Sequence, residues 1–255
     1  MKIGFCGPLD RMAEIAEGGF DYIEPAMNAL AAMPEGDFLN CLARAKEAAL
    51  PCPAFNCMFP GSLALLAPTT TDGEITRYLH GMFERVRALG GKIAVFGSGK
   101  SRMRPDGVPY GEAFRRLTAV TRLIGETAGQ YGVTVVIEPL NRGETNMINS
   151  VGEGACLAAA VHHPSVSLLA DYFHIAVENQ PPEDILRVGG IAHAHIATKE
   201  GRRIPLEKEE GFERMFSAMK QTGYQGLISV EGRCDDLKKE GPLSIALLRE
   251  LYADA

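Results

Sequence analysis

The chain has no tryptophan, no CxxC pair and no apolar run near the ~20 residues that cross a bilayer. A membrane-spanning helix is therefore excluded. The amino-terminal MKIGFCGPLD passes from a strand-like run into polar residues, unlike a secretory leader. An excess of basic residues is also missing. Lys and Arg total 26 against 32 Asp and Glu, a net charge of −6, so no broad attraction to nucleic acid is expected. The cysteines Cys6, Cys41, Cys52, Cys57, Cys156 and Cys234 are scattered, and a chain of 255 residues needs no disulfide staples. Reduced thiols in a cytoplasmic protein are the expectation.

A phosphate-cradling loop is absent too, although VFGSGKS (95–101) resembles one at first sight. A P-loop needs glycine five residues before its Gly-Lys pair, and that position is Ala94. It should also open into a helix, whereas Pro105, Gly107 and Pro109 follow closely. The stretch is instead a glycine-rich connection between a strand and a later helix.

What is present is a rhythm. Apolar residues make up 46% of the chain and charged residues 23%, the balance of a soluble globular protein. Strand-like runs fall at 2–7, 20–27, 52–58, 92–98, 133–140, 166–175, 191–198 and 226–232. Most are near-continuously apolar, as in parallel strands buried on both faces. Helical spacing fills the intervals. Phe38, Leu42, Ala45 and Ala49 share one stripe, and Ile75, Leu79, Met82, Phe83, Val86 and Leu89 another. A third stripe carries Phe114, Leu117, Val120, Leu123 and Ile124, and a helix over 212–226 ends near Gly223. Eight strand candidates alternating with eight helix-sized intervals predict a single-domain (β/α)8 TIM barrel over 1–255. A doubly wound open sheet is the rival.

Active residues of such barrels project from the carboxyl ends of the strands. Candidate strands five to eight end in Glu138, Asp171, His195 and Glu231. Three carboxylates and an imidazole form a hard, mainly oxygen donor set that suits Mn²⁺, Mg²⁺ or Co²⁺ and admits Zn²⁺. Glu138 follows VTVVI and Glu231 follows LISV, where burying a carboxylate is costly unless a cation or donor satisfies it. That favours one shared divalent metal ion over four separate salt bridges. His193 points to the same side as His195, so it stands as the alternative ligand.

Several segments in the second half resemble the xylose isomerase-like barrels, the sugar isomerase and epimerase superfamily, in particular its ketose 3-epimerase branch. They are IEPLNRGET with Glu138 and Glu144, ADYFHI with Asp171 and His174, AHAHIATKEGRRIP, and VEG with Glu231. The resemblance is good over roughly 130–235 and rests on rhythm elsewhere. It implies a metal held by Glu138, Asp171, His195 and Glu231. Substrate oxygens would be contacted by Glu144, His174 and an arginine, Arg202 or its neighbour Arg203. Glu24, at the second-strand end, occupies a place where family members often carry an acid. It is expected to contact substrate or to support the site from behind.

The chemistry then expected is a metal-dependent isomerisation or epimerisation of a sugar or sugar derivative through an enediolate, with Glu138 and Glu231 as acid and base on opposite faces. Hydroxypyruvate isomerase and inosose isomerase or dehydratase are the nearest alternatives. A non-catalytic sugar-binding barrel and an apurinic endonuclease-like hydrolase are alternatives of other classes. The partner is a small sugar-like substrate, with no nucleic acid and no membrane, and a homo-oligomer is compatible. Phe55, Asn56 and Met58 are candidate pocket lining. Lys100, Arg102 and Arg104 are candidates to meet a phosphate or carboxylate of the substrate.

Overall fold

The structure is a computed structural model that describes residues 1–48 and 50–255. Ala49, assigned above to a helical stripe, lies outside the described residues. The strands are β1 (Lys2–Cys6), β2 (Tyr22–Glu24), β3 (Ala54–Phe55), β4 (Ile93–Phe96), β5 (Thr134–Ile137), β6 (Val166–Asp171), β7 (His193–Ile196) and β8 (Leu227–Val230). They pair in the order β2-β1-β8-β7-β6-β5-β4-β3, every pair parallel. The ends of that order nearly close. Ala26 bridges Asn56 in parallel, and the Met27 N–H donates to the Asn56 carbonyl at 2.8 Å. The result is a (β/α)8 barrel.

Helices fill the intervals: α1 (Met12–Glu17), α2 (Met27–Ala32), α3 (Glu35–Glu47), α4 (Asp72–Ala88), α5 (Tyr110–Gln130), α6 (Val151–Val161), α7 (Tyr172–Val177), α8 (Asp184–Arg187), α9 (Glu210–Gln221) and α10 (Leu237–Asp254). No helix of the described residues is long and apolar enough to cross a membrane. In α4 the residues Ile75, Leu79, Met82, Phe83 and Val86 are buried, the stripe that the 3.6-residue period dictates. Its start is fixed by a capping box, with Thr71 and Glu74 each accepting the other's backbone N–H. The strands are shorter than the runs that predict them, β2 and β3 especially, and the sixth also ends differently. The sixth strand stops at Asp171, because the Asp171 side chain accepts the Phe173 N–H at 2.9 Å and caps α7.

Alternation along the strands separates two environments. Phe5, Phe55, Phe96, Ile137 and Ala170 face the helices within the main core. Val95, Val136 and Leu169 form a separate apolar plug with Ile93 and Ala192. Two residues beyond the plug on the same faces come Gly97, Glu138 and Asp171. The barrel interior therefore turns from apolar to polar within one step toward its carboxyl mouth.

Candidate metal centre

Four strand ends meet at that mouth. Glu138, Asp171, His195 and Glu231 each offer a ligand atom, and these atoms lie within 4.8 Å of one another. The His195 Nδ1 is 3.1 Å from Glu138 Oε1 and 3.2 Å from Glu231 Oε2. Gly97 makes room for this approach: a Cβ there would collide with Glu138 Oε2. Glu138 and Asp171 are buried, and burial pushes both carboxyls above their ordinary range. Burial also acts to raise Glu231, but His195 and Arg202 outweigh it and hold that carboxyl down to about 2. Three acids facing one imidazole nitrogen are a donor set that a hard divalent cation fits.

Behind the centre lies a second polar layer. Glu24 is fully buried, with Oε1 at 2.8 Å from His195 Nε2 and Oε2 at 2.8 Å from His193 Nε2. Ser229 donates to Glu24 Oε2, and Tyr22 bonds Ser229 Oγ at 2.7 Å. Burial opposes the charged form of Glu24, yet the two imidazoles pull its carboxyl far down. This settles the geometry of the two histidines: His195 turns Nδ1 to the centre, whereas His193 turns Nε2 to Glu24. Of the two roles expected of Glu24, the geometry favours support from behind, since both its oxygens are taken by His195, His193 and Ser229.

Arg202 closes the front. Its Nη2 donates to Glu231 Oε2 at 2.6 Å and to Asp171 Oδ2 at 3.3 Å, and its Nη1 to Glu144 Oε1 at 3.3 Å. The guanidinium lies 4.5 Å over the Phe173 ring. Arg202 holds φ at +49°, a left-handed conformation that a non-glycine residue adopts at a cost. Arg203 instead pairs with Asp235 at 2.6 Å, on the exposed side. His174 Nε2 stands 3.5 Å from Asp171 Oδ2. Its Nδ1 receives the Asn141 backbone N–H at 3.1 Å, which leaves the ring proton on Nε2. Asn141 Nδ2 also donates to Glu144 at 3.0 Å. Asn141 lies inside the EPLNR segment, and its neighbours were the only signal of its role.

The strand-four loop behaves differently from expectation. Arg102 is fully buried and donates to the carbonyls of Phe96 at 3.0 Å and Glu138 at 2.7 Å. It braces the backbone beneath Glu138 and is not available to a substrate anion. Arg104 binds the Val108 carbonyl at 2.7 Å. Only Lys100 of the three lines a cavity at the mouth. Phe55 and Met58 belong to the core, while Asn56 does reach the site and donates to Glu231 Oε1 at 3.4 Å. Two cavities meet at Arg202 and Glu231, one of about 640 Å³ and one of about 250 Å³.

Residues 12–251 match the sequence profile of the Xylose isomerase-like TIM barrel family. The chain is similar to L-ribulose 3-epimerase of Mesorhizobium japonicum, 29% identical over 57% of this chain and 50% of the relative. Matches to curated relatives thus span about half of their length. Among solved structures, D-psicose 3-epimerase of Clostridium cellulolyticum superposes with a TM-score of 0.85 at 17% identity over 99% of both chains. The 3-keto-D-glucoside 4-epimerase of E. coli superposes with a TM-score of 0.80 at 22% identity over 98% of this chain and 99% of the other. At those identities the superpositions establish the fold alone.

Proposed function

We propose that this chain, which belongs to the Xylose isomerase-like TIM barrel family, is a divalent-metal-dependent epimerase of a ketose or related keto-sugar. One observation carries this reading. Glu138 and Glu231 arrive from β5 and β8, and both stand within 3.2 Å of the same His195 nitrogen. The curated relatives and the superposed structures above are named as ketose or keto-glycoside epimerases, which supports the same reading. A cation held by Glu138, Asp171, His195 and Glu231 (Mn²⁺, Mg²⁺ or Co²⁺ by the hardness of the donors) would supply Lewis-acid polarisation of a carbonyl and its neighbouring hydroxyl.

The protein's own groups then divide the work. One of Glu138 and Glu231 takes the proton from the carbon beside the carbonyl, leaving an enediolate. The other returns a proton to the opposite face, so configuration inverts with no net oxidation. Arg202, Glu144 and His174 would bind and orient substrate oxygens, and Phe173 keeps the guanidinium flat. Glu24 would hold the Nε2 proton of His195 and so keep Nδ1 free for the cation.

The same proton abstraction would serve hydroxypyruvate or an inosose, so the substrate screen must include them. A nuclease-like cluster of several metals is not favoured. Among the described residues the other candidate group, Cys6, Glu24 and His195, shares His195 with this centre.

The test is deuterium wash-in from D2O across ketoses, their phosphates, hydroxypyruvate and inososes, with Mn²⁺ supplied. Exchange is expected at one carbon beside the carbonyl of a ketose-type substrate, abolished by chelation. Glu231→Gln should lower it by about 100-fold or more. No exchange with any of these compounds would overturn the reading.

A further inference from the structure

The larger of the two cavities has a chemistry that the sugar part of a substrate does not need. Its inner end carries Asn56, Arg202 and Glu231 and its exposed rim Asp10 and Arg233, and between them runs an apolar stretch of Leu9, Ala26, Ala29, Leu30 and Met33. That stretch offers no side-chain donor or acceptor. A sugar hydroxyl moved there from water without a partner would weaken binding by about fivefold to a hundredfold. The smaller cavity is the opposite. Asn28, Ser98, Lys100 and Glu144 line it, a set that can satisfy several hydroxyls. At about 640 Å³ the apolar chamber is large enough for a drug-sized group, not merely a methyl.

The roof of this chamber is also underfilled. Cys41 of α3 lines it, and that helix buries only Phe38 among its residues. A further void of about 460 Å³ continues beneath α3, sharing Leu9 and Cys41 with the chamber. Both are clefts partly open to solvent, so an apolar occupant would take apolar surface of α2 and α3 out of water.

We infer that the substrate is a keto-sugar bearing an apolar substituent, alkyl or aryl, joined through a glycosidic or ether oxygen. The chamber formed by Leu9, Ala26, Ala29, Leu30 and Met33 is the subsite for that substituent. The inference rests on the epimerase reading above and narrows its substrate class. The sugar portion lies toward Lys100 and Glu144, the reacting carbon at Glu138 and Glu231, and the substituent toward α2 and α3.

The experiment uses the Mn²⁺-loaded full chain and the free ketose that exchanges fastest. That parent is compared with its O-methyl, O-butyl and O-benzyl ethers, each remote hydroxyl in turn. Buried methylenes strengthen binding by about fourfold each. One butyl or benzyl ether should therefore exceed its parent in kcat/KM by at least about tenfold, mostly through KM. Ala29→Trp, which fills the chamber, should bring the ether-to-parent ratio to one or below. Met33→Gln, which keeps the volume and adds an amide, should lower the ratio in the same direction.

Should the parent exchange while no ether gains, the chamber inference falls and the epimerase reading stands. A gain that survives both substitutions would also overturn it, since the substituent would then sit elsewhere. If neither the parent nor any ether exchanges, the epimerase reading fails and takes this inference with it.

Discussion

Among single side chains, the ones that no substrate would touch set the geometry of the site. Glu24 holds His195 from behind, and its second oxygen is shared by His193 and Ser229. Glu24→Gln keeps the size but presents one amide nitrogen where an acceptor is needed. We expect it to weaken Mn²⁺ binding by about 10- to 100-fold in equilibrium dialysis while the far-UV circular dichroism is unchanged. Unaltered affinity would remove Glu24 from the account. Gly97 is decisive for a steric reason. A Cβ there meets the flexible end of Glu138, so Gly97→Ala should fold normally and displace the carboxylate. The expected result is a weaker metal site with an unfolding midpoint close to that of the parent, measured by dialysis and urea titration.

Glu138 and Glu231 stood out as candidate ligands because each follows a run of apolar residues at a strand end, where an acid is out of place. Glu24 was legible as an acid at a strand end, but not in its orientation. That depends on β7 lying three places from β2 in the sheet order, across β8 and β1. Arg102 was misread for a related reason. It is one of three cations in a loop, and sequence spacing does not say which one turns inward. Ser98, with φ at +43°, starts the tight turn that folds Arg102 back beneath Glu138.

At the scale of elements, periodicity was the reliable signal and termini were not. The apolar stripe of α4 was readable from spacing alone, but its start at Asp72 depends on the Thr71 and Glu74 capping box. Thr71→Ala should cost about 1 kcal/mol in urea unfolding without affecting turnover or metal binding. A loss near zero would mean the cap is not what fixes that helix start. The sixth strand was expected to run to 175, because VSLLADYFHI reads as one largely apolar run. The cap at Asp171 ends it four residues earlier and places His174 on α7, still beside Asp171. β2 and β3 are short, three and two residues, because pairing there passes into the bridge at Ala26 and Asn56.

For the whole molecule, the closed sheet converts positions far apart in sequence into one concentrated patch of negative charge. Glu24, Glu138, Asp171 and Glu231 crowd one mouth, and the side chains there that carry or can accept positive charge and contact these carboxylates are Arg202 and the imidazoles, with Arg102 braced beneath Glu138. Buried like charges oppose one another strongly in a medium of low dielectric. A single dication among the last three acids and His195 would offset that repulsion, and the proposed epimerase chemistry requires one. Barrel architecture was legible from rhythm, and the patch followed from it, because strand ends of a closed barrel must converge.

The direct measurement is an anomalous-difference map from crystals of the full chain grown with Mn²⁺. The account predicts a single strong peak at the mouth, roughly 2.0–2.6 Å from Glu138, Asp171, His195 Nδ1 and Glu231. A map with no peak there at saturating Mn²⁺, or with its strong peak held by other side chains, would contradict it.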